Sequence, residues 1–233
     1  MADARLEPIQ GGSRGTLVSD AVRAAIYSGR FQPGEAIREM QLARELRVSQ
    51  TTVREALLQL EHAGLVVREA NRGTRVTSLS EQDIRERIAV RLMLETSAAA
   101  ETVRRMTPEH LAELETQMHE IASAVRRNSY YESAQADLAF HRAIWRGSGN
   151  QTLFRLLDEL TVPLFAFVSM RQSSNVTDLR RRVRSHEPIL AALRSGQAAA
   201  VRKAIHGHLT TSYRQFLEGT VDAALVSPDP GKS

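Results

Sequence analysis

The chain has 233 residues, 42% hydrophobic and 25% charged, with no cysteine and a formal charge of +4. That length buries a core as one large domain or as two small ones. The lack of cysteine excludes disulfides and thiolate metal sites. A mean hydropathy of -0.30 and no apolar run of about eighteen residues argue against a membrane span. The first residues, MADARLEPIQGGSRG, lack the apolar stretch of a secretory signal, so a cytoplasmic protein without a membrane partner is expected. The sequence pI is near 9.9 and arginine supplies almost all the positive charge, Lys203 and Lys232 being the only lysines. Such a balance permits nucleic-acid binding without demanding it.

Residues 1–16 are polar, rich in Gly and Ser, and read as a flexible lead-in. Leu17, Val18, Ala21, Val22, Ala25 and Ile26 then recur at helical spacing until GRFQPG stops the helix at Gly29. A second helix is predicted over Met40 to Leu46, with a tight turn at Arg47 and Val48. Ser49 is a good N-cap for a third, in which Val53, Ala56, Leu57 and Leu60 form one apolar stripe before a stop at Gly64. LVVRE and TRVTS follow as two short β-rich runs joined by ANRG, which suits a hairpin. Three helices and a hairpin over 17–78 make a winged helix-turn-helix.

From residue 79 to about 225 the periods are long and helical. Helices are expected over 82–105, 108–126, 131–146, 151–171, 178–194 and 197–217, six or seven in all, forming an all-α antiparallel bundle. Thr107 caps the second of these and Pro108 opens it. Pro163 and Pro188 are expected to kink or break their helices near Val162 and Glu187. Residues 226–233, VSPDPGKS, read as a disordered tail.

In a helix-turn-helix the second helix of the pair enters the major groove with its first residues on base edges. Here it carries SQTTVREAL, making Ser49, Gln50, Thr51, Thr52 and Arg54 the candidate DNA-contacting residues. Gln pairs with adenine, Arg with guanine, and Thr with phosphate or a thymine methyl. Arg38, Arg44 and Arg47 are candidates for phosphate contacts, and Arg72 with Gly73 at the hairpin tip for the minor groove. The text from Ala25 to Val76 resembles the DNA-binding domain of GntR-family transcription regulators, most specifically at GRFQPG, LARELRVS, TTVREAL, LEHAGLV and NRGTRV. Relatives usually read SRTPVREAL where this chain has Gln50 and Thr52. The resemblance therefore implies the fold and not the operator sequence.

ADLAFHRAIW places Asp137 and His141 four residues apart, on one helix face, where both can reach one ion. The ordinary alternative is a surface pair or a hydrogen-bonded core histidine. His186 and His208 sit on later helices among apolar neighbours that turn them inward. His206 competes with His208, but residues two apart on a helix point to different faces; Ala204 and Val201 share the face of His208. His62, His110 and His119 have no partner at ligand spacing. Three imidazoles and a carboxylate suit a divalent Zn, Ni, Mn or Fe ion, zinc first among them.

RLMLE, DLAFHRAIWRGSGN, SHEPILAAL and HGHL further resemble the FCD ligand-sensing domain of the FadR subfamily of GntR regulators. That resemblance implies Asp137, His141, His186 and His208 as metal ligands and a small organic acid that completes the coordination. Arg91 then becomes an effector-binding candidate, the alternative being an exposed salt bridge with Glu95. Arg142 and Asn150 are secondary candidates, although Asn150 also suits the cap of the helix at Gln151.

Three functions were compared on these features. A metal-dependent hydrolase fused to a DNA-binding module needs a base near the metal, and only Glu187 beside His186 offers one. A structural DNA-binding protein with a metal-stabilised dimer domain leaves the inward histidines without a ligand to sense. The expectation is a ligand-responsive regulator, a repressor more than an activator, without enzymatic activity. It is expected to act as a homodimer on a pseudo-palindromic double-stranded operator.

Overall fold

The computed structural model describes residues 14–69, 73–173 and 179–217, with the backbone alone for 171–173. Among them the chain forms ten helices and three strands. The flexible lead-in, apart from its last three residues, and the expected tail lie outside the described residues, as do Asn71 and Arg72.

Helix α1 (Arg14–Tyr27) starts three residues before the expected Leu17. Its buried stripe is Val18, Val22 and Ile26, while Leu17 is 68% exposed and does not belong to it. A strand the sequence reading lacked, β1 (Ala36–Ile37), precedes α2 (Glu39–Leu46). Helix α3 (Gln50–His62) is capped by Ser49, whose hydroxyl accepts from the Thr52 amide, and buries Val53, Ala56, Leu57 and Leu60 completely. It ends as the glycine predicts. Gly64 has φ +70, its amide bonds Glu61 O, and the Leu65 amide returns to Leu60 O. Strands β2 (Val66–Glu69) and β3 (Gly73–Val76) pair antiparallel, Val66 opposite Val76. Strand β3 is central because β1 joins its other edge, Ile37 opposite Thr74.

Helices α4 (Glu81–Arg104), α5 (Pro108–Arg126), α6 (Tyr130–Gly147), α7 (Gln151–Ser173), α8 (Arg180–Arg194), α9 (Ala198–Ser212) and the short α10 (Arg214–Leu217) build the second half. Helix α4 opens on a capping box between Ser80 and Asp83, and Thr107 caps α5 ahead of Pro108. Helix α6 packs on α4, α5 and α7 and buries Phe140, Ile144 and Trp145. The expected breaks at Pro163 and Pro188 do not occur; both lie inside continuous helices. For Pro163 the reason is visible. Proline deprives the Glu159 carbonyl of its helical donor, and Arg87 Nη1 reaches Glu159 O at 3.4 Å and Leu160 O at 3.3 Å. The expected single helix over 197–217 is divided instead at Tyr213, whose hydroxyl is held by Arg91 Nη1 at 2.7 Å.

The N-terminal half rests directly on the bundle. Tyr27, fully buried at the end of α1, meets Tyr131 of α6 edge to face at 5.8 Å. A Cβ at Gly64 would stand 2.8 Å from Pro163 Cγ of α7. Gly64→Ala therefore combines a left-handed backbone with a steric conflict across this contact. It is expected to destabilise the protein by roughly 1–3 kcal/mol, seen as a lower midpoint in urea. A midpoint equal to that of the parent would show that α7 does not press on this turn.

Candidate metal centre and DNA-reading face

Four helices carry one buried constellation. Asp137 and His141 come from the inner face of α6, His186 from α8, His208 from α9, and Arg91 and Glu95 from α4. A ligand nitrogen from each of His141, His186 and His208 lies within 4.8 Å of the others. His186 Nε2 is 3.3 Å from His141 Nε2 and 3.1 Å from Asp137 Oδ1, and His141 Nε2 is 3.4 Å from the same oxygen. The structure thus brings together the four residues singled out in the sequence and leaves the part-buried His206 outside the cluster.

The outer nitrogens define the tautomers. His141 Nδ1 donates to the Glu95 carboxylate, His186 Nδ1 to Arg182 O at 2.7 Å, and His208 Nδ1 to Ser185 O at 3.2 Å. His141 and His186 therefore turn Nε2 lone pairs toward Asp137 and each other, and the His208 ring centroid lies 4.4 Å from that of His186 and 5.1 Å from that of His141. Lone pairs and a carboxylate at about 3.3 Å repel one another unless a cation lies among them. That spacing is also what two nitrogens at about 2.0–2.1 Å from one zinc ion adopt in tetrahedral geometry. The donor set fits a divalent ion, held by Asp137, His141, His186 and His208.

Electrostatics favour the same protonation states. Burial lowers the affinity of His141 for a proton, against the opposing pull of Glu95. Burial, then the His186 and His141 rings, push His208 well below the ordinary imidazole value. Burial alone would raise the Asp137 carboxyl, but His186, Arg182 and His141 bring it well below the usual range. Glu95 is likewise held ionised, Arg91 and His141 outweighing burial. Neutral imidazoles beside an ionised carboxylate are the ligand forms of these side chains.

Glu95 entered the sequence reading only as a salt-bridge partner of Arg91, and Tyr213 carries no local signal. Glu95 is the orienting carboxylate behind His141, the arrangement common behind metal-bound imidazoles. The Arg91–Glu95 pair exists, at 2.7 Å, yet it is buried, the side chains being 1% and 0% exposed; the exposed salt bridge is excluded. Arg91 also lines a cavity of about 120 Å³ with Asp137, His186, His208, Phe165 and Tyr213. Its Nη2 has no hydrogen-bond partner among the described residues.

The secondary candidates are corrected. Asn150 is exposed and outside that cavity, its Oδ1 accepting from the Thr152 and Leu153 amides at 3.1 and 3.0 Å. It caps α7 and is not an effector contact. Arg142 forms a two-pronged pair with Asp158 at 2.6 and 3.0 Å, away from the cavity. His110 stays outside the histidine cluster and places Nε2 at 3.0 Å from Ala143 O. Glu187 is exposed and does not line the cavity.

On the other half, Thr51 and Arg54 are exposed and Gln50 half-buried at the start of α3. Ser49 and Thr52 join hydroxyls at 2.8 Å within the cap. Arg38 and Arg44 are exposed on either side of α2, and Gly73, φ +79, opens β3; Arg72 lies outside the described residues. Glu39, unmarked in the sequence, holds both Arg54 Nε at 2.8 Å and Gln50 Nε2 at 3.2 Å on one oxygen.

The buried histidines carry a pH dependence. Groups whose proton affinity is lowered by folding stabilise the fold above their unfolded pKa, near 6.5 for histidine, and cease to do so as pH falls. In chelator-treated protein, stability is expected to drop between about pH 7 and pH 5, by up to about 1.4 kcal/mol per pH unit for each such group. Denaturant midpoints across that range test this; a flat profile would contradict the neutral assignment of His141 and His208.

Comparison with known proteins supports both halves. The profile described as "Bacterial regulatory proteins, gntR family" matches residues 16–76, and the FCD domain profile matches residues 86–211. The chain is 32% identical over 213 residues to a probable D-xylose utilization operon transcriptional repressor of Paenarthrobacter nicotinovorans, covering 89% of this chain and 92% of that one. It is 26% identical over 202 residues to the gluconate operon transcriptional repressor of Bacillus licheniformis, covering 83% and 81%. The solved structure of McbR/YncC from E. coli superposes with a TM-score of 0.74 at 22% identity, covering 89% of this chain and 99% of that one, which shows the shared fold. With a winged helix-turn-helix ahead of an FCD bundle, the chain belongs to the GntR family of bacterial DNA-binding transcription regulators and is not an enzyme.

Proposed function

We propose that the protein is a metal-dependent, carboxylate-responsive repressor that binds a pseudo-palindromic operator as a homodimer. The observation that supports the metal is the arrangement of the three imidazoles: every Nδ1 is satisfied by an oxygen, the Nε2 atoms of His141 and His186 converge beside Asp137, and the His208 ring stands against them. A bound divalent ion would supply a Lewis-acidic anchor for a carboxylate oxygen. Asp137, His141, His186 and His208 would hold it, with Glu95 fixing the His141 ring through Nδ1.

Arg91 supports the effector. A guanidinium fixed by Glu95 and Tyr213, with one free nitrogen beside a small cavity, matches the geometry of a carboxylate partner. The Phe165 ring at 5.2 Å backs its face and excludes water from that side. Repression is supported by the names of two relatives, both transcriptional repressors of operons. A dimer is supported by the size of the reading unit, since one recognition helix and one wing contact too few bases for selective binding.

The effector acts on DNA through helices shared by both halves. Helix α6 carries Asp137 and His141 inward and Tyr131 toward Tyr27; α7 presents Phe165 to the cavity and Pro163 to Gly64. A shift of either helix on effector binding moves the DNA-reading head. A coupling of about 1–3 kcal/mol suffices for a useful switch.

His141→Ala is expected to lose metal on dialysis and to lose the effector response while retaining operator binding. Elemental analysis and titration of a labelled operator with and without acid measure both; a full effector response in the metal-free variant would falsify the mechanism. In the reading helix, Arg54→Ala is expected to weaken binding to the cognate operator about 10- to 100-fold. Binding to unrelated DNA should fall far less. Equal losses on both would reduce Arg54 to a phosphate contact.

A further inference from the structure

The cavity beside the histidines holds more positive charge than one carboxylate can balance. Three guanidinium groups line it, from Arg91, Arg181 and Arg182, and among the described lining residues Asp137 is the only acid. Glu95 stands behind Arg91 and balances that residue alone. The cavity is therefore net positive before any metal binds, and a divalent ion adds two further charges to a buried space. Burying unbalanced charge is unfavourable, so the molecule that completes the site should bring more than one negative group.

The arginines are graded in depth. Arg91, 1% exposed, lies at the floor on α4. Arg182, 14% exposed, and Arg181, exposed, both stand on α8. Arg182 is fixed in direction by Tyr130, with its Nη1 left without a hydrogen bond. Its guanidinium lies 5.3 Å over the Tyr130 ring, and Nη1 is 3.4 Å from Asp137 Oδ2 without forming a hydrogen bond there. Arg181 is drawn toward α9 by a bond to Thr211 O at 3.2 Å. His186, His208 and Asp137 line the same cavity. An apolar cavity of about 150 Å³ accommodates benzene, so about 120 Å³ suits an acid of four or five carbons.

We propose that the effector is a short dicarboxylate, one carboxylate directed to the metal and Arg91 and the second to Arg182 and Arg181. The proposal rests on the carboxylate-responsive reading above and narrows it. A monocarboxylate of the same length places a methyl group among guanidinium groups, whereas a diacid pairs them.

The test uses zinc-loaded full-length protein and acids that differ only at the far end. Malate is compared with 2-hydroxybutyrate, and 2-hydroxyglutarate with 2-hydroxyvalerate, by calorimetric titration. At least a tenfold tighter binding of the diacid is expected in one pair. Arg182→Gln and Arg181→Gln should each shrink that preference, with zinc content measured so that loaded proteins are compared. Monoacids that bind as well as their diacids overturn the proposal and leave the carboxylate reading standing. A diacid preference that survives both substitutions overturns it too. If none of the four acids binds to zinc-loaded protein, the carboxylate reading and the dicarboxylate fall together.

Discussion

The bundle is organised around the two oxygens of Glu95. One receives Arg91 and the other His141, and all three side chains are buried. Charges so placed are tolerable only because each completes another, since removing water from an ion costs several kcal/mol that geometry must offset. Glu95 thereby links two functions on separate helices. The guanidinium that faces the cavity from α4 and the imidazole that faces the metal position from α6 share one carboxylate. Tyr213 adds a further tie from the turn after α9, where it interrupts the helix in order to reach Arg91.

The same economy extends to the contact with the DNA-reading half. Neither α6 nor α7 is a passive wall. Each places one face in the site and another against the head, through Tyr131 on Tyr27 and Pro163 on Gly64. Closely packed interiors do not deform smoothly, so in the proposed switch a change at the histidines would reach these contacts as a shift of whole helices. Gly64 is also the residue that ends the recognition helix, which places the contact directly on the element that reads DNA.

What the sequence disclosed followed from local physics. Ser49, Thr107 and Gly64 are caps and stops whose chemistry acts within one turn, and the helices they bound lie where their periodicity put them. Asp137 and His141 were legible as a pair because helical spacing alone sets them on one face. The failures needed neighbours far away in sequence. Pro163 does not break α7 because Arg87, on another helix, serves the carbonyl it frees. Strand β1 has two residues, too few for any period, and exists because β3 offers an edge. Arg91 and Glu95 were correctly paired, but only tertiary packing decides whether such a pair lies in solvent or in the core. Arg181 and Arg182 carry no mark in the sequence, and only the fold turns them to a cavity.

Glu39 gives the head a property of its own. In the free protein it occupies Arg54 and Gln50 together, so the side chains suited to base edges are already held by an internal anion. Any DNA that engages them must first take the place of that carboxylate. A mismatched sequence returns too few contacts to do so, while phosphates anywhere would still attract the outlying arginines. If Arg54 and Gln50 read base edges as proposed, Glu39 would act as a threshold inside that surface, separating arrival at DNA from commitment to a sequence.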